Sequence, residues 1–172
     1  MESRALLDRL DRHLRRMSAR GVLFGQAVAD RLGIGASDLE CLDLINLKGR
    51  VTAGELAAAT GLTTGAITGV LDRLEKAGFI KRERDAADRR KVFASIRPAA
   101  LQKIAPLYQS LDRAMRELWS RYSREELELL IDFAARCEEV FTREIARLRE
   151  NDPRRRGARP ARKAKSKTAG GE

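Results

Sequence analysis

One histidine and two cysteines are all that this 172-residue sequence offers for imidazole or thiol chemistry. His13, Cys41 and Cys137 lie far apart, each inside a helix-like apolar pattern. A zinc site needs four donors brought together, which this inventory does not supply. No glycine-rich phosphate loop and no nucleophile elbow is present. Glu125, Glu126 and Glu128 crowd the start of a helix, where acids are favourable for electrostatic reasons alone. The sequence therefore predicts no enzyme, no metal and no cofactor. Its chemistry is cationic: 35 Lys and Arg stand against 25 Asp and Glu, a net charge of +10.

That charge is uneven. Residues 153–172 hold eight Lys or Arg and one acid, Glu172, so +7 of the +10 falls there and +3 on the 152 residues before it. The high net charge alone does not make the folded part a binder of nucleic acid. The tail is too polar to bury a core and is expected to be disordered. Two readings of it stay open: non-specific scanning of DNA, with the salt dependence of counterion release, or an idle solubilising extension. No apolar run reaches the ~18 residues of a membrane span. Glu2, Arg4, Asp8 and Arg9 sit where a signal peptide would be apolar. With two cysteines in different helical patterns, the expectation is a cytoplasmic protein with reduced thiols.

Helices must position these cations. At 43% hydrophobic residues and 5% aromatic, the composition allows a core and favours helix over sheet. Residues 3–32 carry apolar side chains in steps of three and four, from Leu7, Leu10 and Leu14 to Leu32. Ser37 with Glu40, Thr52 with Glu55, and Ser123 with Glu126 each have the form of a capping box and predict three helix starts. A further helix spans 63–77 and closes at Gly78. Residues 79–84 and 91–96 read as the arms of a β-hairpin with a charged tip at 85–90. Pro98 suits a first helical turn, and Pro106 predicts a kink or restart. The last helix, 125–149, has an apolar seam at Leu127, Leu130, Ala134, Cys137, Phe141, Ile145 and Leu148.

The segment 53–74, AGELAAATGLTTGAITGVLDRL, has the pattern of a helix-turn-helix. Leu56, Leu62, Ile67, Val70 and Leu74 supply a locking face, Ala57 the close approach, and Gly61 the turn. Taken alone, any helical hairpin with a glycine turn would look similar. Followed directly by a basic-tipped hairpin, it predicts a winged helix whose second helix enters the major groove. The fold class is thus mainly α with a small β-hairpin wing: a winged helix-turn-helix core plus a helical dimerisation region. The expected limits are 36–97 for the core, 1–35 and 98–150 for the helical region, and 151–172 for the tail.

Residues 69–92, GVLDRLEKAGFIKRERDAADRRKV, resemble the signature of the MarR family of bacterial regulators, and the layout of residues 5–150 is similar. The resemblance implies a DNA-binding transcriptional repressor that acts as a homodimer on a palindromic operator. It implies that first and last helices of two chains interlock, here through Leu7, Leu10, Leu14, Leu130, Ala134, Phe141 and Ile145. It also implies release by a small aromatic or phenolic effector held between dimer helices and winged lobe. By position, His13, Met17, Phe24, Cys41, Tyr108 and Trp119 are the candidates for that pocket, although core or interface packing accounts for each of them better. Ala86 departs from the family, which often has proline there, and implies a looser wing tip.

Double-stranded DNA is the expected partner. Thr63, Thr64, Gly65 and Thr68 are the expected contacts of the second helix, with Arg73 reaching phosphate. No Arg, Lys, Asn or Gln occurs between Leu62 and Leu71, so the strong bidentate base contacts are missing there. Threonine can still reach a base edge, a phosphate or a thymine methyl. Gly65 and Gly69 admit two explanations, close approach to the groove or tight internal packing. Lys81, Arg82, Arg84, Arg89, Arg90 and Lys91 make the wing basic, and Asp88 is expected to orient a wing arginine. Much of the specificity should then come from groove shape. The competing function is an architectural protein that coats DNA with little sequence preference.

Overall fold

The computed structural model describes residues 2–150, so the tail expectation for 151–172 lies outside the described residues. The elements are α1 (Glu2–Leu32), α2 (Ala36–Lys48), β1 (Val51–Thr52), α3 (Ala53–Thr60), α4 (Thr64–Lys76), β2 (Ile80–Arg84), β3 (Val92–Ile96), α5 (Pro98–Trp119) and α6 (Arg124–Glu150). The chain divides into two compact units between Arg113 and Ala114.

The first unit holds α1 to β3 and the start of α5. Its core forms where α2, α3 and α4 bury one stripe each: Cys41, Leu42 and Ile45; Leu56; Ile67, Val70, Leu71 and Leu74. Phe79, Ile80, Val51 and Ala94 close the core from the sheet. The strands run antiparallel in the order β1-β3-β2, with Val51 opposite Ala94 and Arg82 opposite Ala94 from the other side. The third strand, β1, was not expected. It gives the hairpin the support that two short arms need. A second cluster packs Val28 and Ala29 of α1 against Leu39, with Phe24, Leu107 and Tyr108 around it.

Two expectations about helix ends need correction. The first turn of α2 is not a capping box: the helix begins at Ala36, Gly35 is the N-cap, and no side chain caps it. Ser37 therefore lies inside the helix. The carboxylate of the next residue, Asp38, is buried and bound to a distant arginine, which fixes this turn instead. Pro106 starts no new helix, for α5 continues through it. The other two boxes form as expected. Thr52 and Glu55 exchange bonds at α3. At α6 the Ser123 N–H donates to Glu126 at 2.8 Å, and Ser123 Oγ accepts from the Glu126 N–H at 3.2 Å.

The second unit holds the end of α5 and α6. None of its described residues is buried. Phe141 is 69% exposed and Ile131 68%. Helix α6 is amphipathic without a covered apolar face in the single chain.

Candidate nucleic-acid interface

The turn between α3 and α4 is built from local bonds. Gly61 adopts φ +74°, a left-handed conformation that costs a Cβ-bearing residue but not glycine, and its N–H donates to the Ala57 carbonyl at 2.8 Å. Thr60 Oγ1 donates to the Leu56 carbonyl at 2.8 Å and accepts from the Leu62 N–H. Thr63 caps α4 by accepting from the Ala66 N–H at 3.2 Å. With Ile67, Val70, Leu71 and Leu74 buried, Thr64, Gly65, Thr68 and Asp72 fall on the outer side of α4.

Internal packing does not explain the two glycines of α4. A Cβ added at Gly65 would meet nothing within 4 Å, and one at Gly69 would meet only Arg73 Nη1 at 3.5 Å, an ordinary contact. Gly65 is exposed, whereas Gly69 is half-buried beside the Arg73 guanidinium.

Arg73 does not extend freely into solvent, as a phosphate contact would suggest. Its Nε and Nη2 donate to the Asp38 carboxylate at 3.0 and 2.6 Å. Asp38 is 5% exposed at the side chain, so its two oxygens depend on that guanidinium. Arg82, read as part of the basic wing, is also engaged. It donates to Glu75 through Nε and Nη2 and pairs with Asp72 at 2.8 Å. These bonds hold Glu75 below the usual carboxylate range and brace β2 against α4. Lys81 pairs with Glu83.

The wing tip is organised by Asp85. Its Oδ1 accepts from the N–H groups of Ala87 and Asp88, both at 2.9 Å, and these bonds lower its pKa first, Arg50 after them. Arg50 Nη2 donates to Asp85 at 2.7 Å while its guanidinium carbon lies 3.8 Å above the Phe93 ring. The tip without proline is therefore tied by a side chain in place of a ring. Asp88 accepts from the backbone N–H and Nε of Arg90, at 3.1 and 3.2 Å. The Arg90 side chain stays 93% exposed, and Arg84, Arg89 and Lys91 are exposed beside it. Sequence reasoning missed Asp38 and Arg50, because each finds its partner 35 residues away.

Of the six effector candidates, five lie in the first unit and Trp119 in the second. Phe24 and Tyr108 meet edge to face, 5.5 Å apart at 69°. Burial, then Asp43, raises the pKa of the Tyr108 phenol. Cys41 lies inside the core, and its thiol is pushed up to about 11 by burial, then by Glu40 and Asp38, with Arg73 opposing. His13 and Met17 are exposed on α1, and Trp119 belongs to the second unit. A depression of about 400 Å³ is lined by residues 33–38, Arg73 and Ala77, and contains none of the six. Among the described residues no three His, Cys, Asp or Glu are placed to hold a metal, and no helix is long and apolar enough to cross a membrane.

Residues 34–92 match the profile of the MarR family. An uncharacterized HTH-type transcriptional regulator of Bacillus subtilis, YcgE, is 40% identical over 136 residues, spanning 79% of this chain and 88% of the relative. Among solved structures, the transcriptional regulator Tm0710 of Thermotoga maritima aligns with a TM-score of 0.57 at 24% identity, over 81% of this chain and 98% of its own. A mutant MarR from E. coli complexed with operator DNA aligns with a TM-score of 0.51 at 21% identity, over 74% and 92%. These two likenesses show the fold.

Proposed function

The chain belongs to the MarR family of DNA-binding transcriptional regulators, and from that premise we propose that it is a homodimeric repressor acting on a palindromic operator. One observation carries the reading: Arg82 braces the α4 helix to strand β2, so recognition helix and cationic wing move as one reader. Helix α4 enters the major groove with Thr63, Thr64, Gly65 and Thr68 leading. Arg84, Arg89, Arg90 and Lys91 reach the backbone or adjacent minor groove, and Asp88 directs Arg90. Arg73 joins them through the outer edge of a guanidinium whose direction Asp38 sets. The DNA-binding region is 36–97.

The helical segments 1–35 and 98–150 are the proposed dimerisation region. Leu7 and Leu10 of α1, and Leu130, Phe141 and Ile145 of α6, are exposed in the single chain, with Ala134 exposed and Leu14 half-buried. Apolar faces of this length are an aggregation hazard unless a second copy covers them. Two-fold symmetry then sets the half-sites about one DNA turn apart. Release by a small aromatic or phenolic effector is the finer part of the proposal and rests on membership of the family. A protein working on genomic DNA is placed in the cytoplasm, on the nucleoid.

Selection from a random-sequence duplex library, at physiological salt and against excess competitor, tests the reading. The expected result is a short inverted repeat bound by two chains, as mass measurement of the complex will show, and loss of expression from a promoter carrying that repeat. Broad recovery without a motif points to the architectural alternative.

A further inference from the structure

We infer that Thr68 is a specificity-determining residue that reads a thymine through methyl-to-methyl contact in the major groove. The inference rests on the proposed role of α4. Thr68 Oγ1 donates its proton to the Thr64 carbonyl at 2.9 Å, one turn back along the helix. That hydroxyl has no proton left for a base acceptor, and its oxygen is drawn onto the helix. The Cγ2 methyl is what remains to meet a partner. Gly65 and Gly69 stand three residues before and one after, and a Cβ at Gly65 would touch nothing of the protein. Gly65 therefore leaves open space beside the Thr68 methyl, and the other outward side chains of this face, Thr64 and Asp72, stand one turn away on either side.

The charged residues that follow do not compete for this edge. Asp72 pairs with Arg82 and Arg73 with Asp38. Guanine presents two acceptors in the major groove and needs donors, whereas thymine presents its 5-methyl and one acceptor. A threonine with its proton committed and its methyl free suits the thymine methyl, and each half-site should hold one thymine at that position.

The probe is the duplex recovered from the random-sequence library, with each thymine of the half-site replaced in turn by deoxyuridine, which deletes only the methyl. One replacement per half-site deletes two methyl groups from the operator and should weaken wild-type binding by about 15-fold, each buried methyl group being worth about fourfold. Thr68→Val keeps the methyl and removes the hydroxyl, and should bind with the same sensitivity to that replacement. Thr68→Ser keeps the hydroxyl and removes the methyl. Both copies in the dimer lose it, so this variant should bind about 15-fold more weakly and be indifferent to deoxyuridine there. Thermal melting of both variants confirms that the fold is kept. If every deoxyuridine is tolerated by wild type, or if Val loses affinity while Ser keeps it, the methyl reading is overturned while the operator stands. If no motif is recovered, both the operator reading and this one fall.

Discussion

The Arg73 guanidinium closes on the Asp38 carboxylate from 35 positions away in sequence, tying the outer edge of α4 to the first turn of α2. The two partners are unequal: the carboxylate is 5% exposed and the arginine side chain 60%. Removing either one should therefore have different consequences. Arg73→Ala strands a buried carboxylate, and should lower Tm by roughly 3–10 °C. Asp38→Ala leaves a cation that water can solvate and should cost less. The double variant should melt close to Asp38→Ala, because the stranded charge is then gone. Calorimetry on the three variants checks the order, and equal losses from the two single changes would contradict it.

The ion pair of Glu75 with Arg82 leads to a pH dependence. Glu75, Glu55 and Asp85 all have pKa values lowered in the fold, through Arg82, through the Thr52 cap and through the wing-tip N–H groups respectively. A lowered pKa means that the unfolded chain binds protons first as pH falls. Their stabilisation is complete above the unfolded carboxylate range, near pH 4–4.5, and is lost as pH drops through the lower folded values. Asp43, raised by burial, works in the opposite sense and offsets part of the loss. Urea midpoints should fall between pH 5 and pH 3, and Glu75→Gln should flatten that fall.

Local features of the sequence identify local structure here, and long-range bonds are what it conceals. The boxes at Thr52 and Ser123 are legible because cap and partner are three residues apart. The same pattern at Ser37 misleads, because Asp38 beside it answers to Arg73 on another helix. Strand β1 has two residues, too few for any periodicity, and exists only because β3 pairs with it. The wing cations look equivalent in sequence. Yet Arg82 is a brace within the fold and Arg90 is exposed, a distinction made by Glu75 and Asp72 on α4. Arg50 carries no sign of its role, since Asp85 and Phe93 are brought to it by the sheet.

Cys41 should behave as a structural residue, not a sensor. It is fully buried and its pKa lies near 11, so little thiolate exists at neutral pH and none is accessible. Iodoacetamide at pH 8 should leave the Cys41 peptide unlabelled in native protein and label it after denaturation, as peptide mass spectrometry will show. Rapid native labelling would reopen a redox role.

Arg90 and Asp85 should affect DNA binding by different routes. Arg90→Ala removes an exposed cation, and should weaken operator binding about tenfold and reduce the salt slope by about one, with the melting temperature unchanged. Asp85→Ala releases two tip N–H groups and Arg50 together. It should weaken binding while leaving the salt slope near the wild-type value, because no phosphate contact is deleted. Fluorescence anisotropy across a salt series separates the two effects. Unchanged affinity in Arg90→Ala would remove the wing from the interface.

The eight Lys and Arg of residues 153–172 supply most of the net charge, so the tail can be tested apart from the reader. Each phosphate neutralised by a cation lowers the logarithm of the binding constant by about 0.9 per tenfold rise in salt. If the tail contacts DNA, truncation after Asn151 should flatten that slope by several units on random duplex and on operator alike. The ratio of the two affinities should hold, because a tail bound to phosphates reads no bases. Titrations at 50 and 200 mM salt, on full-length and truncated protein, give all four slopes. Unchanged slopes would identify the tail as an idle extension and leave the winged core to account for affinity as well as sequence preference.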